Sequence, residues 1–533
     1  MSTERHHEVG PSAKRTKDQV WLLVGAALAA AILSTVTLLD FYVQNAQKLP
    51  GPGRVIRYAG MTLLAVILVT AVIKACWRTL PIWRAILAVG IGTFVFFSFH
   101  RLEMARAASF STHKELAAVL WTSVSLLAVL GALAFVRRPA IVSIALVLSL
   151  AFAAPSISRA VGLLATAQDV HDATDVHAPS GVRPLISPNI YWIVLDGYPR
   201  ADVLRESFGF DNSDFLDSLK SLRFKVVERG LSNFPVTMNS VSSTLNMDYT
   251  VRSDGGVLHP FPATELYSIV KGKSRTVSSL EELGYNYVHF ENGYDYLTKC
   301  AETERRCIRG NKNLDEQDVA ILSNTPLIDL IAGFEGNADG ATPFHIGGVA
   351  DLTAKLPAIQ EEPAPFFVYA HVIAPHPPIR FRADCSMRRA QPDLVAWNPK
   401  AKPDFIDQLK CVNAQALTLL RKIAQTDSDA IIIVQSDHGT AFSGQFKKKA
   451  SEWSDSDLWE RFGVLNAMRL PPSCRNDITM DQTLVDTFPL VLACLTGREF
   501  KPRPGRIFVT PYDDNPEYGK AIEYSPDRLH GDR

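Results

Sequence analysis

The chain has no net formal charge, because 55 Lys and Arg stand against 55 Asp and Glu over 533 residues. Cysteine is scarce, with seven in all, and no two make a Cys-x-x-Cys pair. There is no internal repeat and no low-complexity segment. Each shortage excludes something. Seven cysteines in so long a chain do not build a small disulfide scaffold. The missing close pair argues against a zinc ribbon or knuckle. A hydrophobic share of 47% excludes a disordered chain. Length alone suggests roughly three domains.

The zero total hides two unlike parts. Through Leu164 there are 16 basic and 6 acidic residues, a surplus of ten positive charges. The remainder holds 39 basic and 49 acidic residues, a surplus of ten negative charges. That acidic balance argues against a nucleic-acid binder. Cysteine divides the same way: only Cys76 lies in the first part.

Five long apolar runs fill the first part: Val20 to Leu39, Tyr58 to Ile73, Pro81 to Phe99, Leu116 to Val136 and Pro139 to Ser158. A span needs roughly 20 apolar residues. The second run is short, but Arg57 and Lys74 can snorkel at its ends. Arg84 interrupts only the start of the third, and Pro155 falls near the end of the fifth. Any one run could be a buried core helix; five in succession between short basic loops predict a membrane domain. Nine basic residues (Arg5, Lys14, Arg15, Lys17, Lys74, Arg78, Arg84, Arg137 and Arg138) fall on one side. Six (Lys48, Arg54, Arg57, Arg101, Arg106 and Lys114) fall on the other. The positive-inside rule then puts the N-terminus in the cytoplasm and everything after the fifth span outside it. The cysteines agree. Cys300 and Cys307 flank a short loop and can pair in an oxidising compartment. Cys385, Cys411, Cys474 and Cys494 can form two more bridges, in a pairing the sequence leaves open.

The division expected is a cytoplasmic tail over residues 1–19, a transmembrane domain over 20–164, a polar linker over 165–187, a catalytic domain over 188–498 and a C-terminal tail over 499–533. Asn189 to Leu195 (NIYWIVL) is a continuous apolar run that suits a strand buried on both faces. Further strands are expected at Tyr287 to Phe290, Phe366 to Val372, Ala430 to Gln435 and Gly463 to Met468. Helices are expected at Asp211 to Leu222, Ser278 to Leu283, Ile406 to Gln425 and Thr483 to Leu495. The alternation predicts an α/β domain whose sheet is covered on both sides.

Function in such sheets gathers beyond the carboxyl ends of the strands. The first strand runs into Asp196-Gly197, and the fourth into Ser436-Asp437-His438-Gly439. Carboxylate and imidazole together suit Zn²⁺ or Mn²⁺. An isolated Asp there can equally cap the next helix.

The strings "IYWIVLDGY", "NFPVTMNSVSSTLN", "YAHVIAPHPP" and "IIIVQSDHG" occur in the order found in the alkaline phosphatase and sulfatase superfamily. More narrowly, the chain resembles the superfamily's membrane-anchored branch, which includes phosphoethanolamine transferases and lipoteichoic acid synthases, and the sulfatase-like membrane proteins that carry "LDGY". The resemblance runs from about Val20 to about Gly497. It implies five transmembrane helices followed by an α/β alkaline-phosphatase-like sandwich with a mostly parallel central sheet. It implies metal ligands at Asp196, Asp437 and His438, and a nucleophile at Thr237 that also touches the metal. Ser232, Ser240, Ser242 and Ser243 lie nearby as rivals, and Thr237 could merely cap the following helix. His371 and His376 have the five-residue spacing of two histidines that help hold phosphate in the transferases.

Two departures stand out. The Cys- or Ser-x-Pro-x-Arg string of formylglycine sulfatases is missing around Thr237, which argues against ordinary sulfate-ester hydrolysis. No histidine follows His438 until His530, where the transferases place another. Lys447, Lys448 and Lys449 could contact an anionic substrate, though a solvated basic loop is the plainer reading.

The resemblance implies a bacterial inner-membrane enzyme with its catalytic domain outside the cytoplasm. It would use one divalent cation, Zn²⁺ or Mn²⁺, with Mg²⁺ and Ca²⁺ as alternatives. The expected reaction transfers a phosphoryl-linked head group from a phospholipid donor to an envelope glycan or lipid through a phosphothreonine. The alternatives are a phosphodiesterase or phosphatase acting on an envelope ester, and a non-catalytic envelope-binding module.

Overall fold

The computed structural model describes residues 11–46, 52–99, 114–166, 183–252, 256–257, 264–292, 298, 300, 306–309, 316–327, 330, 348–388, 392–394, 396–510 and 520–529. Arg5, Lys48, Arg101, Arg106, His530 and most of the expected linker lie outside these residues. The chain forms two compact units, one of Met1–Val170 with Gln317–Asn337 and one of His171–Glu316 with Ala338–Arg533.

Among the described residues the first unit holds five apolar helices: α1 (Pro11–Asn45), α2 (Gly53–Cys76), α3 (Ile82–Phe96), α4 (Lys114–Phe135) and α5 (Ala140–Thr166). All except α3 are long and apolar enough to cross a membrane. The 15 residues of α3 rise about 22 Å, short of a roughly 30 Å apolar core. The outer surface is apolar: Leu28, Ile67, Leu127 and Leu148 are more than half exposed, which suits lipid and not water. Small residues fill the inside, with Ala26, Ala29, Ala85 and Ala88 fully buried where helices meet. Some polar groups inside the bundle are paired. Trp121 Nε1 donates to the Val95 carbonyl at 2.8 Å, and Ser156 Oγ donates to Asp40 at 2.9 Å. Arg84 donates to the Leu133 carbonyl. The helix does not end near Pro155 but continues to Thr166, because in hydrocarbon an unravelled turn would leave its amides unbonded.

The second unit is built on a seven-stranded sheet. In chain order the elements that matter are β1 (Ile190–Leu195), β2 (Lys225–Val226), α6 (Thr237–Asn246), β3 (Asn286–Glu291), β4 (Cys307–Arg309), α7 (Glu316–Leu322), α8 (Val349–Gln360), β5 (Phe366–Val372), α9 (Lys402–Thr426), β6 (Ile431–Gln435), α10 (Asp455–Phe462), β7 (Asn466–Arg469), α11 (Thr487–Thr496), β8 (Ile507–Val509) and β9 (Ile522–Tyr524). All but the leading residue of α7 is grouped with the membrane unit. The strand order is β2-β7-β6-β1-β5-β3-β4. The pairs from β6 through β4 are parallel, while β7 runs antiparallel to β6 and β2 antiparallel to β7.

All six residues of β1 are buried, as its continuous apolar run predicts. Alternate side chains serve opposite faces. Tyr191, Ile193 and Leu195 join Leu352 of α8 and Phe405 and Leu409 of α9 in one core. Ile190, Trp192 and Val194 join Phe488 and Val491 of α11 in another. Trp192 stacks on Tyr369 with ring centroids 4.9 Å apart, and its Nε1 donates to Gln435 at 2.8 Å. Register then aligns the strand ends, with Val194 beside both His371 of β5 and Gln435 of β6.

Disulfides join Cys300 to Cys307, Cys385 to Cys411 and Cys474 to Cys494, all in the second unit. The segment after Arg498 takes part in the fold. Its β8 and β9 pair antiparallel, and Ile507 and Val509 enter a core with Trp459 and Phe462.

Candidate active site

Three adjacent parallel strands deliver the polar residues to one rim. Asp196 follows β1, Asp437 and His438 follow β6, and His371 and His376 lie at and beyond the end of β5. Glycine makes two of the sharp exits possible. Gly197 has φ of 71°, and a Cβ on it would lie 3.1 Å from the Trp397 ring. At Gly439 a Cβ would sit 2.2 Å from the Glu460 carbonyl oxygen, so no larger residue fits.

Thr237 is the first residue of α6 and not its cap. Val236 holds the cap position, and no side chain closes that turn. The Thr237 hydroxyl instead lies 2.9 Å from Nε2 of His438. Its rivals are committed elsewhere. Ser240 donates to the Asp437 carbonyl at 2.6 Å, Ser242 to Leu266 and Ser243 to Asp248. Ser232 is buried with no hydrogen-bond partner for its hydroxyl.

The ligand-type residues converge. His438 Nε2 lies 3.5 Å from Asp196 and 3.3 Å from Asp437. Single ligand atoms from Asp196, His376 and His438 fall within 4.8 Å of one another, and so do those from Asp196, His371 and Asp437. All five residues are fully or almost fully buried, except that His376 is partly exposed. His376 therefore reaches the centre as a ligand-type group. His371 approaches from another side: its Nε2 is 3.3 Å from Asp196, and its Nδ1 is 3.2 Å from the Tyr369 hydroxyl.

This donor set fits a divalent cation. One oxygen of Asp196 and one of Asp437 are buried with no hydrogen-bond partner. Two such carboxylates side by side are costly unless a positive centre joins them. His438 Nδ1 donates to the Gly439 carbonyl at 3.0 Å, which leaves the Nε2 lone pair facing the carboxylates. His376 Nδ1 donates to Pro377 at 2.6 Å, which leaves its Nε2 open in the same way.

Burial sets the protonation of the cluster. It raises the Asp196 carboxyl, and with the neighbouring Asp196 charge it pushes Asp437 up to about 7. It lowers His376, takes His371 down to about 4, and with Arg461 drives His438 well below its ordinary range. A cation needs Asp437 ionised, so below about 7 it must displace a proton. Metal affinity should therefore fall about tenfold per pH unit below that point and level off above it. The metal-free fold should behave in the opposite sense. Its carboxyl binds the proton more tightly than the unfolded chain does, so its stability falls as pH rises from about 4 towards 7. Zinc titration against a competing chelator across this range checks the first point; a flat affinity would refute it.

Two residues that the sequence did not single out come from α10. Arg461 is fully buried. Its Nε and Nη2 donate to the Pro235 carbonyl and its Nη1 donates to Gly439 at 2.7 Å, tying the loop before Thr237 to the loop after His438. Glu460 accepts from Thr440 Oγ1 and Phe442 N at 2.7 Å each and from Ser443 N at 3.1 Å. In sequence they are ordinary charges on an amphipathic helix. Among the basic residues the sequence did flag, Lys448 pairs with Asp457 at 2.7 Å and Lys449 approaches Glu452 at 3.8 Å.

An α/β sheet with buried carboxylates and imidazoles at its carboxyl rim, in a chain that also carries a bundle of apolar helices, defines a membrane protein with a metal-type catalytic domain. The sulfatase family model matches residues 188–464, and the chain belongs to the sulfatase family. It is a metal-dependent enzyme of the alkaline phosphatase and sulfatase superfamily. No curated protein matches it. Among solved structures, the zinc complex of the C-terminal periplasmic domain of EcEptC from Escherichia coli is similar at 11% identity and a TM-score of 0.44, over 66% of this chain and 98% of that one. The integral membrane lipooligosaccharide phosphoethanolamine transferase A from Neisseria meningitidis is similar at 11% identity and a TM-score of 0.39, over 88% of this chain and 95% of that one. The phosphonate monoester hydrolase of Agrobacterium radiobacter is similar at 13% identity and a TM-score of 0.39, over 61% of this chain and 81% of that one.

Proposed function

We propose that the chain transfers a phosphoryl-linked head group from a phospholipid to an envelope glycan or lipid, through a phosphothreonine on Thr237. The observation that carries this reading is the Thr237 hydroxyl, 2.9 Å from His438 Nε2 at a centre that also holds Asp196 and Asp437. The three disulfides and the basic bias of one set of loops support a catalytic domain outside the cytoplasm, held at the inner membrane.

Asp196, Asp437 and His438 would hold the cation, with Thr237 beside them. Bound there, a Zn²⁺ or Mn²⁺ ion would lower the pKa of the threonine hydroxyl and offset the phosphate charge. Thr237 Oγ1 attacks phosphorus, and the bond from phosphorus to the diacylglycerol oxygen breaks. His376 Nε2 takes the hydroxyl proton and returns it to the leaving oxygen, so diacylglycerol departs neutral. An acceptor hydroxyl then attacks the phosphothreonine and restores Thr237. His371 donates from Nε2 to Asp196 and fixes that carboxylate's orientation. The amino end of α6 adds positive potential where phosphate oxygens would lie.

Release of diacylglycerol from phospholipid vesicles by the purified full-length chain tests this reading. Release should need added Zn²⁺ or Mn²⁺ and stop with chelator. Release that does not depend on an acceptor would mark a phosphodiesterase. No release with any divalent metal would refute the reading.

Arg461 makes a second test. A lysine lacks the guanidinium's fixed fork and cannot reproduce its three bonds in this geometry, so Arg461→Lys should let the nucleophile loop drift. Turnover should fall about 10²-fold, and stability by about 1–3 kcal/mol. A full kcat in a well-folded Arg461→Lys protein would contradict the positioning role.

A further inference from the structure

Within the membrane unit an apolar cavity of about 440 Å³ opens between α2, α3 and α4. Ala65 and Val69 of α2 form one wall, and Ser125 and Val129 of α4 form the other. Phe96 of α3 lies between them. The cavity follows α2 from Tyr58 to Val69, a rise of about 16 Å, or half of a roughly 30 Å apolar core. With the N-terminus inside, α2 descends from the outer face, so this is the outer half of the membrane.

A segment far away in sequence covers its outer end. Leu322, Thr325 and Leu327 line the cavity there. Ile321 is fully buried against Leu38 and Val55. Asp318 anchors the segment, 3.1 Å from Arg54 and accepting from the Tyr58 hydroxyl at 3.1 Å. Arg57 stands exposed at the same end of α2, one position before Tyr58.

We infer that this cavity seats one acyl chain of an outer-leaflet glycerophospholipid, with the lipid's anionic phosphate at the Arg57 end. Three features select this occupant. The walls are apolar over a depth where the surrounding medium is itself acyl chain. A soluble peptide does not reach that depth. Among the described residues at this end of α2, Arg54 is balanced by Asp318, and Arg57 is exposed and complements a phosphate. The inference rests on the phospholipid-donor reading and adds to it a site that holds the donor before its phosphorus meets Thr237.

The test compares full-length wild type with Ala65→Trp and Ser125→Trp, each of which fills the cavity. Diacylglycerol release is measured on two donors with the same head group, one long-chain and one with chains too short to reach the cavity. The ratio of long-chain to short-chain kcat/KM should fall at least about tenfold in both variants. It should stay at the wild-type value in Leu148→Trp, on the lipid-facing side of α5. In parallel, a phospholipid with a photoactivatable group in its acyl chain is irradiated with the wild-type chain. Labelling should concentrate on Met61, Val69 and Leu126. If both donors are cleaved and the ratio does not move, the cavity is not an acyl site and the transfer reading survives. If neither donor is cleaved, the transfer reading fails, and photolabelling decides the cavity alone. Labelling spread evenly over the lipid-facing helices would overturn the inference.

Discussion

Thr237→Ala should abolish head-group release, lowering turnover by about 10⁴-fold or more while leaving metal content and fold intact. The hydroxyl sits at the start of α6 and makes no cap bond, so its removal costs the helix little. Its contact at 2.9 Å is with His438, in the centre that holds the ligand-type carboxylates. Ser240, Ser242 and Ser243 cannot substitute, because each hydroxyl already donates to a backbone carbonyl. Thr237→Ser should recover a substantial part of the rate, since it restores the oxygen and loses only a methyl group. Turnover by Thr237→Ala within tenfold of wild type would mean that the threonine is not the nucleophile.

The second large effect is expected at Asp437. Asp437→Asn keeps the shape and removes one of the two carboxylates that share the buried centre. Zinc content should fall below one ion per chain, and turnover should fall about 10³-fold. The metal-free proteins should behave the other way round. Burial and the neighbouring Asp196 push Asp437 up to about 7, so above that pH the wild type carries two buried negative charges when the metal is stripped. Chelated Asp437→Asn should then melt higher than chelated wild type at about pH 8, while metal-loaded wild type melts highest of all. If chelation leaves the wild-type melting temperature unchanged, the carboxylates are not joined by a cation. An adjacent pair that merely caps helices would show none of this.

Much of the architecture could be read from runs of residues. The strands β1, β5 and β6 are continuous apolar stretches bounded by turn residues, as a sheet covered on both faces requires. The candidate ligands at their ends were legible for the same reason, because Asp196, Asp437 and His438 follow directly from those strands. Direction was not legible. Nothing in Asn466–Arg469 distinguishes an antiparallel partner from a parallel one, and β7 takes its direction from the chain entering from α10. The return of α7 and the residues after it to the membrane unit was hidden too. Ile321 and Leu322 read as ordinary core residues until α2 is beside them.

The site divides along the same line. Residue type and strand position pointed to the ligand set. Choosing among the hydroxyls near Thr237 needed the partners of each, which only packing supplies. His376 illustrates the limit: its spacing from His371 suggested a shared role on phosphate, and only the fold shows that His376 groups with Asp196 and His438, and His371 with Asp196 and Asp437. Arg461 left no local signal at all. Its guanidinium is fully buried because the two loops that it ties together, around Pro235 and Gly439, are brought side by side by the sheet.

The charge split of the chain also gains a physical account. The acidic surplus belongs to the part that must handle anionic phosphate, and two of its carboxylates are buried where a cation would reverse the local sign.

Mass spectrometry of peptides containing Thr237, after the full-length chain is incubated with phospholipid and Zn²⁺ without acceptor and then quenched in acid, tests the central claim most directly. The account predicts a phosphoryl-linked head-group adduct on Thr237 that is absent from Thr237→Ala. An adduct on Ser240 or Ser243, or cleavage of the donor with no adduct on any residue, would contradict it.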